Sequence, residues 1–142
     1  MKSTKIWAMI GIVILGFCLS DNSMASDDKT GKAIEAAKKW VELIDQGKYG
    51  ESWETAAEYF KNAAAKERWE QMLNGVRKPL GRLVSRDLKS KTYQKSLPGA
   101  PDGEYVVIQF RTSFENKKSA IETITPMLDG DGQWRVSGYY IK

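Results

Sequence analysis

From residue 30 onward the apolar positions recur every three or four residues. Ala33, Ala37, Trp40, Val41 and Ile44 fall on one helical stripe, with Thr30 placed to cap its start and Gly47 to end it. A second helical pattern begins near Tyr49 and carries Trp53, Ala56, Ala57 and Phe60. A third carries Ala65, Trp69, Met72, Leu73 and Val76 before Pro79 and Gly81 stop it. The alanines at 63, 64 and 65 favour helix, so these two segments can be one bent helix; a break between them is the expectation.

Past Leu83 the period changes to two. Val106, Ile108, Phe110 and Phe114 alternate with Gln109, Arg111 and Ser113, the pattern of a half-buried antiparallel strand. The turn-rich residues 98–103 precede it and Asn116, Lys117 and Lys118 follow it. Asp129, Gly130, Asp131 and Gly132 then divide a third strand from a fourth at about 134–141. The polar, lysine-rich residues 83–95 suit an edge strand guarded against pairing with other chains, and Pro126 marks a bulge or a second edge. Helices first and strands afterwards give the α+β class, with N-terminal helices packed on a curved four-stranded antiparallel sheet. Trp40, Trp53 and Trp69 are expected to face that sheet.

The chain ahead of this pattern reads differently. Lys2 and Lys5 make a basic start, residues 6–18 an almost unbroken apolar run, and Ser23, Met24 and Ala25 a small-x-small cleavage site, the outline of a secretory signal. The apolar run is shorter than the roughly 18 to 20 residues of a bilayer-spanning helix, so the expectation is export to the periplasm or medium with cleavage after Ala25, and no transmembrane span in the mature form. Residues 15–18 have the outline of a lipobox, against which the bulky Phe17 beside Cys18 argues. Removing 25 of the 142 residues leaves 117, the size of one domain, residues 26–142. The only cysteine leaves with the signal, so packing alone holds the fold. The mature chain has 20 basic and 17 acidic residues, too mild an excess to imply nucleic acid.

Composition narrows the chemistry further. The chain has no histidine, the commonest general base near neutrality and the commonest metal ligand, and the mature part has no thiol. No metal or cofactor is expected, and no glycine-flanked serine elbow is present. Asp129 to Gly132 resembles the start of a calcium loop, but Trp134 and Tyr140 stand where that loop needs glycine and glutamate. The spacing Gly130, Gly132, Arg135 is a broken nucleotide fingerprint leading into a strand. A hairpin turn is the plainer reading of both.

Two features remain as candidate sites. Between residues 77 and 95, Arg77, Lys78, Arg82, Arg86, Lys89, Lys91 and Lys95 meet only Asp87. Arg77, Lys78, Arg82 and Arg86 therefore form a candidate patch for an acidic partner protein or an anionic envelope component, set against a solvated edge strand and a helix end that favours cations. The aromatics, Trp40, Trp53 and Tyr140 foremost, either line an apolar cavity between helices and sheet or fill it.

The stretches WVELIDQGKYGESW at residues 40–53, RKPLGRLVSR at 77–86, LPGAPDGEYVVIQF at 97–110 and IETITPMLDGDGQWRVSGYYIK at 121–142 resemble the family of domain of unknown function 4019. That resemblance implies a secreted bacterial protein and brings no activity. The order of elements is also similar to the cone-shaped folds related to nuclear transport factor 2 and the cystatins, an analogy that carries no function. Three expectations follow: a non-enzymatic envelope domain that binds through its strand side or the basic segment 77–95, a small-molecule binder with an open cone, and an acid/base enzyme using carboxylates such as Asp45 or Glu122 with a tyrosine donor.

Overall fold

The computed structural model describes residues 20–142, with side chains from residue 27 onward. The basic start, the apolar run and Cys18 lie outside the described residues. Helix α1 (Ser20–Asp45) is followed by α2 (Tyr49–Glu54), α3 (Glu58–Ala63), α4 (Lys66–Val76) and a 3-10 turn (Lys78–Leu80). The strands β1 (Leu83–Gln94), β2 (Tyr105–Phe114), β3 (Lys117–Leu128) and β4 (Trp134–Ile141) then form one antiparallel meander in the order β1-β2-β3-β4. This is the expected α+β class. Among the described residues no helix is long and apolar enough to cross a membrane.

The core follows the two periodicities. Ala33, Ala37, Trp40, Val41 and Ile44 from α1, with Trp69 and Leu73 from α4, pack against Val106, Ile108, Phe110, Ile124 and Val136 of the sheet. A smaller cluster, Ala57, Tyr105 and Met127, sits on the opposite strand phase. The loop after β1 covers it, with the Tyr105 hydroxyl donating to the Pro101 carbonyl at 2.6 Å and Tyr59 donating to Gly99 at 3.0 Å.

The helices depart from the sequence reading in three places and agree with it at one expected break. Thr30 is not a cap: α1 begins ten residues earlier, since no glycine or proline interrupts residues 20–29, and Thr30 is buried inside it. The second helical pattern is split, because the N–H of Ala57 leaves the helix to donate to the Val136 carbonyl on β4 at 2.8 Å. The expected break before Ala65 is present, where the Trp53 indole N–H takes the Ala64 carbonyl at 2.7 Å and both Ala64 and Ala65 are extended. In α4 the buried face runs Trp69, Leu73 and then Arg77, leaving Met72 and Val76 exposed.

Two registers shift in ways that matter for the site. Thr125 pairs with Gly138 but Pro126 pairs with Val136, so Ser137 is an extra residue on β4. The Ser137 hydroxyl donates to the Thr125 carbonyl at 2.7 Å, holding the bulge that Pro126 announces. The turn between β2 and β3 is also tighter than expected: Lys117 and Lys118 already belong to β3.

Candidate functional site: a buried carboxylate and arginine cluster

The inner faces of β1, β2 and β3 each contribute one polar residue to the edge of the core. Arg86 comes from β1, Thr112 from β2 and Glu122 from β3, and Asp45 closes the group from the last residue of α1. Glu122 is 0% exposed. Its Oε1 accepts from Arg86 Nε at 2.7 Å and from the Thr112 hydroxyl at 2.6 Å; its Oε2 accepts from Arg86 Nη2 at 3.2 Å and from the Tyr139 hydroxyl. The other side of the Arg86 guanidinium grips Asp45 through Nη1 at 2.7 Å and Nη2 at 2.9 Å. One planar fork thus bridges two carboxylates 77 positions apart in the chain, a geometry that guanidinium supplies and ammonium does not.

Arg77 completes the group. Its Nη2 lies 3.3 Å from Asp45 Oδ1, its Nη1 donates to the Gly81 carbonyl at 2.6 Å, and its guanidinium stacks 4.4 Å over the Phe114 ring. Nε of Arg77 is left without an acceptor. Gly81 is in the left-handed region at φ 77°, and a Cβ there would stand 3.0 Å from Glu115, so the carbonyl that receives Arg77 depends on a glycine.

The electrostatics are those of a closed cluster. Two arginines face two carboxylates, so the formal charge is zero. Burial works against a charged Arg86, but its hydrogen bonds to Asp45 and Glu122 and their charges outweigh that, and the guanidinium is held more firmly protonated than usual. Burial and then the neighbouring Glu122 charge push the Tyr139 hydroxyl far above its ordinary value, which makes it a permanent donor.

This geometry sorts the residues singled out from the sequence. Arg77 and Arg86 are not on a surface patch: Arg77 is buried and Arg86 half-buried, both turned into the cluster, whereas Lys78 and Arg82 are exposed and Arg82 pairs with Glu115 at 3.4 Å. Trp40 is buried against Trp69 and Tyr139, with ring centroids 6.1 and 5.5 Å away, and Trp53 is half-buried beside them. Tyr140 does not join these two; it is 57% exposed, because the bulge at Ser137 turns Tyr139 inward in its place. Trp40, Trp69, Tyr139 and Phe60 pack on one another and fill the centre of the space between helices and sheet, while grooves of about 370 and 220 Å³ open at its margins beside β1 and β4.

Asp45 and Glu122, chosen from the sequence as carboxylates with a tyrosine donor, are brought together, but with a second partner that the sequence reading assigned elsewhere. Grooves of about 540 and 370 Å³ flank the cluster and reach Asp45, and Glu122 lines neither. Among the described residues no group of three or more acidic, cysteine or histidine side chains is placed to hold a metal ion. The acidic hairpin turn is tied internally: Arg135 pairs with Asp129 at 2.9 Å and with Asp131 at 2.7 Å.

A signal for the cluster does exist in the sequence. Glu122 stands between Ala120 and Ile124 on the inward phase of its strand, and a charged residue at such a position is the observation that flags a buried pair. Its partner was hidden because Arg86 sits among six other cations. No curated protein and no solved structure matches the chain. The similarity to the nuclear transport factor 2 cone therefore rests on the order of elements alone. Residues 36–139, which span the cluster, the filled core and all four strands, match the family described as Protein of unknown function (DUF4019), and the chain belongs to that family.

Proposed function

We propose that the protein is an exported, non-enzymatic binding domain of the cell envelope that engages an acidic partner through the strand side of its sheet. The observation that carries the reading is the contrast within residues 77–95. Arg77 is buried, Arg86 is half-buried and both are paired, while Lys78, Lys89, Lys91 and Lys95 are exposed and make no ion pair with any described residue. Cations without local partners attract an acidic surface by a force that salt screens.

The interior supports the same reading. A general base needs a free lone pair within reach of substrate, and every oxygen of Glu122 already accepts from Arg86, Thr112 or Tyr139. The small-molecule reading places its ligand in an open cone lined by Trp40, Trp53 and Tyr140, and Trp40 instead packs with Trp69, Tyr139 and Phe60 while Tyr140 faces solvent, which leaves open grooves at the margins. Export fits the fold as well: cleavage after Ala25 shortens α1 and leaves every described core residue, from Ala33 onward, in place.

Two measurements test the proposal. Fractionation with N-terminal sequencing of the recovered protein is expected to give an envelope protein starting at Ser26; an uncleaved cytoplasmic chain overturns the export reading. Native mass spectrometry of protein purified gently from that fraction is expected to show a salt-sensitive complex with an acidic partner. A small apolar molecule retained at high salt overturns the binding mode in favour of an open cone.

A further inference from the structure

The partner chemistry can be taken one step further, on the same reading of the strand side. β1 is 12 residues long, pairs only with β2, and is exposed at every position except Arg86 and Tyr93, which are half-buried. Its far side therefore presents a row of N–H and C=O groups with no backbone partner among the described residues, the template that an extended polypeptide can extend. Two register shifts, at Leu83/Ser85 and at Leu88/Ser90, bulge the first part of the strand and break the row. Beyond them the ladder from Ser90 to Gln94 is unbroken. We propose that Ser90 to Gln94 form a docking edge to which an acidic segment of another protein adds as a fifth strand.

The occupant follows from the charges along that run. Lys89, Lys91 and Lys95 are exposed and have no ion-pair partner among the described residues, and no acidic residue lies between them in the sequence. A second copy of β1 paired centrally over this run would set lysine against lysine with no carboxylate in the run to relieve it, so self-pairing along Ser90 to Gln94 is disfavoured. An extended segment with carboxylates on alternate positions has the opposite sign at the same spacing. Leu88, 42% exposed, lies at the near end of the run and lines the 370 Å³ groove between α1 and β1 with Val41, Leu83 and Phe110. An apolar side chain at that end of the segment has a seat there. A membrane surface or acidic polysaccharide would satisfy the lysines but leave the backbone groups unused, which favours a polypeptide.

The test uses the purified protein and four probes at low salt: an eight-residue peptide of alternating glutamate and valine, the same peptide N-methylated at every residue so that neither edge can pair, a sulfated polysaccharide, and vesicles containing anionic lipid. The unmodified peptide is expected to bind and to slow amide exchange selectively in β1. The N-methylated peptide, which keeps the charge but cannot complete the ladder, and the variant K89E/K91E are each expected to weaken binding about tenfold or more. Both lysines are exposed, so an unchanged melting temperature of that variant checks that the fold is intact.

Equal binding of both peptides, or protection outside β1, overturns strand addition and leaves the charge-based reading standing. Tighter binding of the polysaccharide or the vesicles without protection of β1 has the same effect and names an anionic envelope component in its place. Dimerisation through β1 without any probe overturns the acidic occupant. Binding of none of the four probes removes both strand addition and the acidic-partner reading beneath it.

Discussion

Two arginines in this domain each hold two carboxylates, and the resemblance ends at water. Arg86 joins Asp45 and Glu122 with side-chain exposures of 10%, 14% and 0%; Arg135 joins Asp129 and Asp131 with exposures of 33%, 13% and 54%. The distances are nearly the same. What differs is what the groups fall back on when a partner is removed. An oxygen freed in the hairpin turn rehydrates, while Glu122 has no solvent to turn to. The hairpin pairs shape one turn between adjacent strands. The buried group instead ties the end of α1 to β1 and β3, elements far apart in sequence. Further back along α1, Lys29 pairs with Glu104 at 2.8 Å, and Glu104 also receives the Tyr93 hydroxyl at 2.6 Å.

The contrast is sharpest for loss of the guanidinium. Arg86→Met leaves Glu122 buried beside an apolar chain and is expected to destabilise the domain by about 3–5 kcal/mol in urea denaturation. Replacing both partners, Arg86→Met with Glu122→Leu, is expected to recover much of that loss, because the cost lies in the orphaned charge rather than in the missing attraction. Double-mutant additivity would break this account. Tyr139→Phe removes one of four donors to Glu122 and is expected to cost about 1–3 kcal/mol, with Trp40 and Trp69 still packed around the ring.

The hairpin responds more weakly. Arg135→Met is expected to cost at most about 1 kcal/mol, in the range of surface pairs, and less in high salt. Hydrogen bonds from Arg135 and from the Gln133 backbone hold the Asp131 carboxyl at about 2, below its ordinary 3.8. Its contribution is therefore complete above the ordinary value and is lost as the pH falls through about 2. Carboxyl chemical shifts followed through acid titration check this, and Asp131→Asn is expected to abolish that step while leaving the core signals unmoved.

Most of the architecture was legible because periodicity reports burial directly. The helical stripe in α1 and the alternation in β2 name their own core residues, and the turn residues between strands fix a meander. What failed were positions where a single tertiary contact overrules a local pattern. Ala57 leaves its helix for β4, and an extra residue at Ser137 exchanges Tyr140 for Tyr139. Of the candidate patch, Lys78 and Arg82 are exposed as a basic run suggests, whereas Arg77 is buried and Arg86 half-buried, each paired inside the fold. The sequence shows seven cations and cannot distinguish those with a carboxylate waiting across the fold, since Asp45 and Glu122 lie 32 and 36 residues from the arginines they meet.

The hydrogen bond from Ala57 to Val136 has a consequence for assembly. It places a helix start against the outer edge of β4, so a strand arriving there would have to evict Ala57 before it could register. The two edges of the sheet are thus unlike: residues 90–94 of β1 have no backbone partner on their far side among the described residues, while β4 is already engaged at Val136. A strand added beside β1 would meet an obstacle to a matching addition at β4, which works against head-to-tail growth into a fibre.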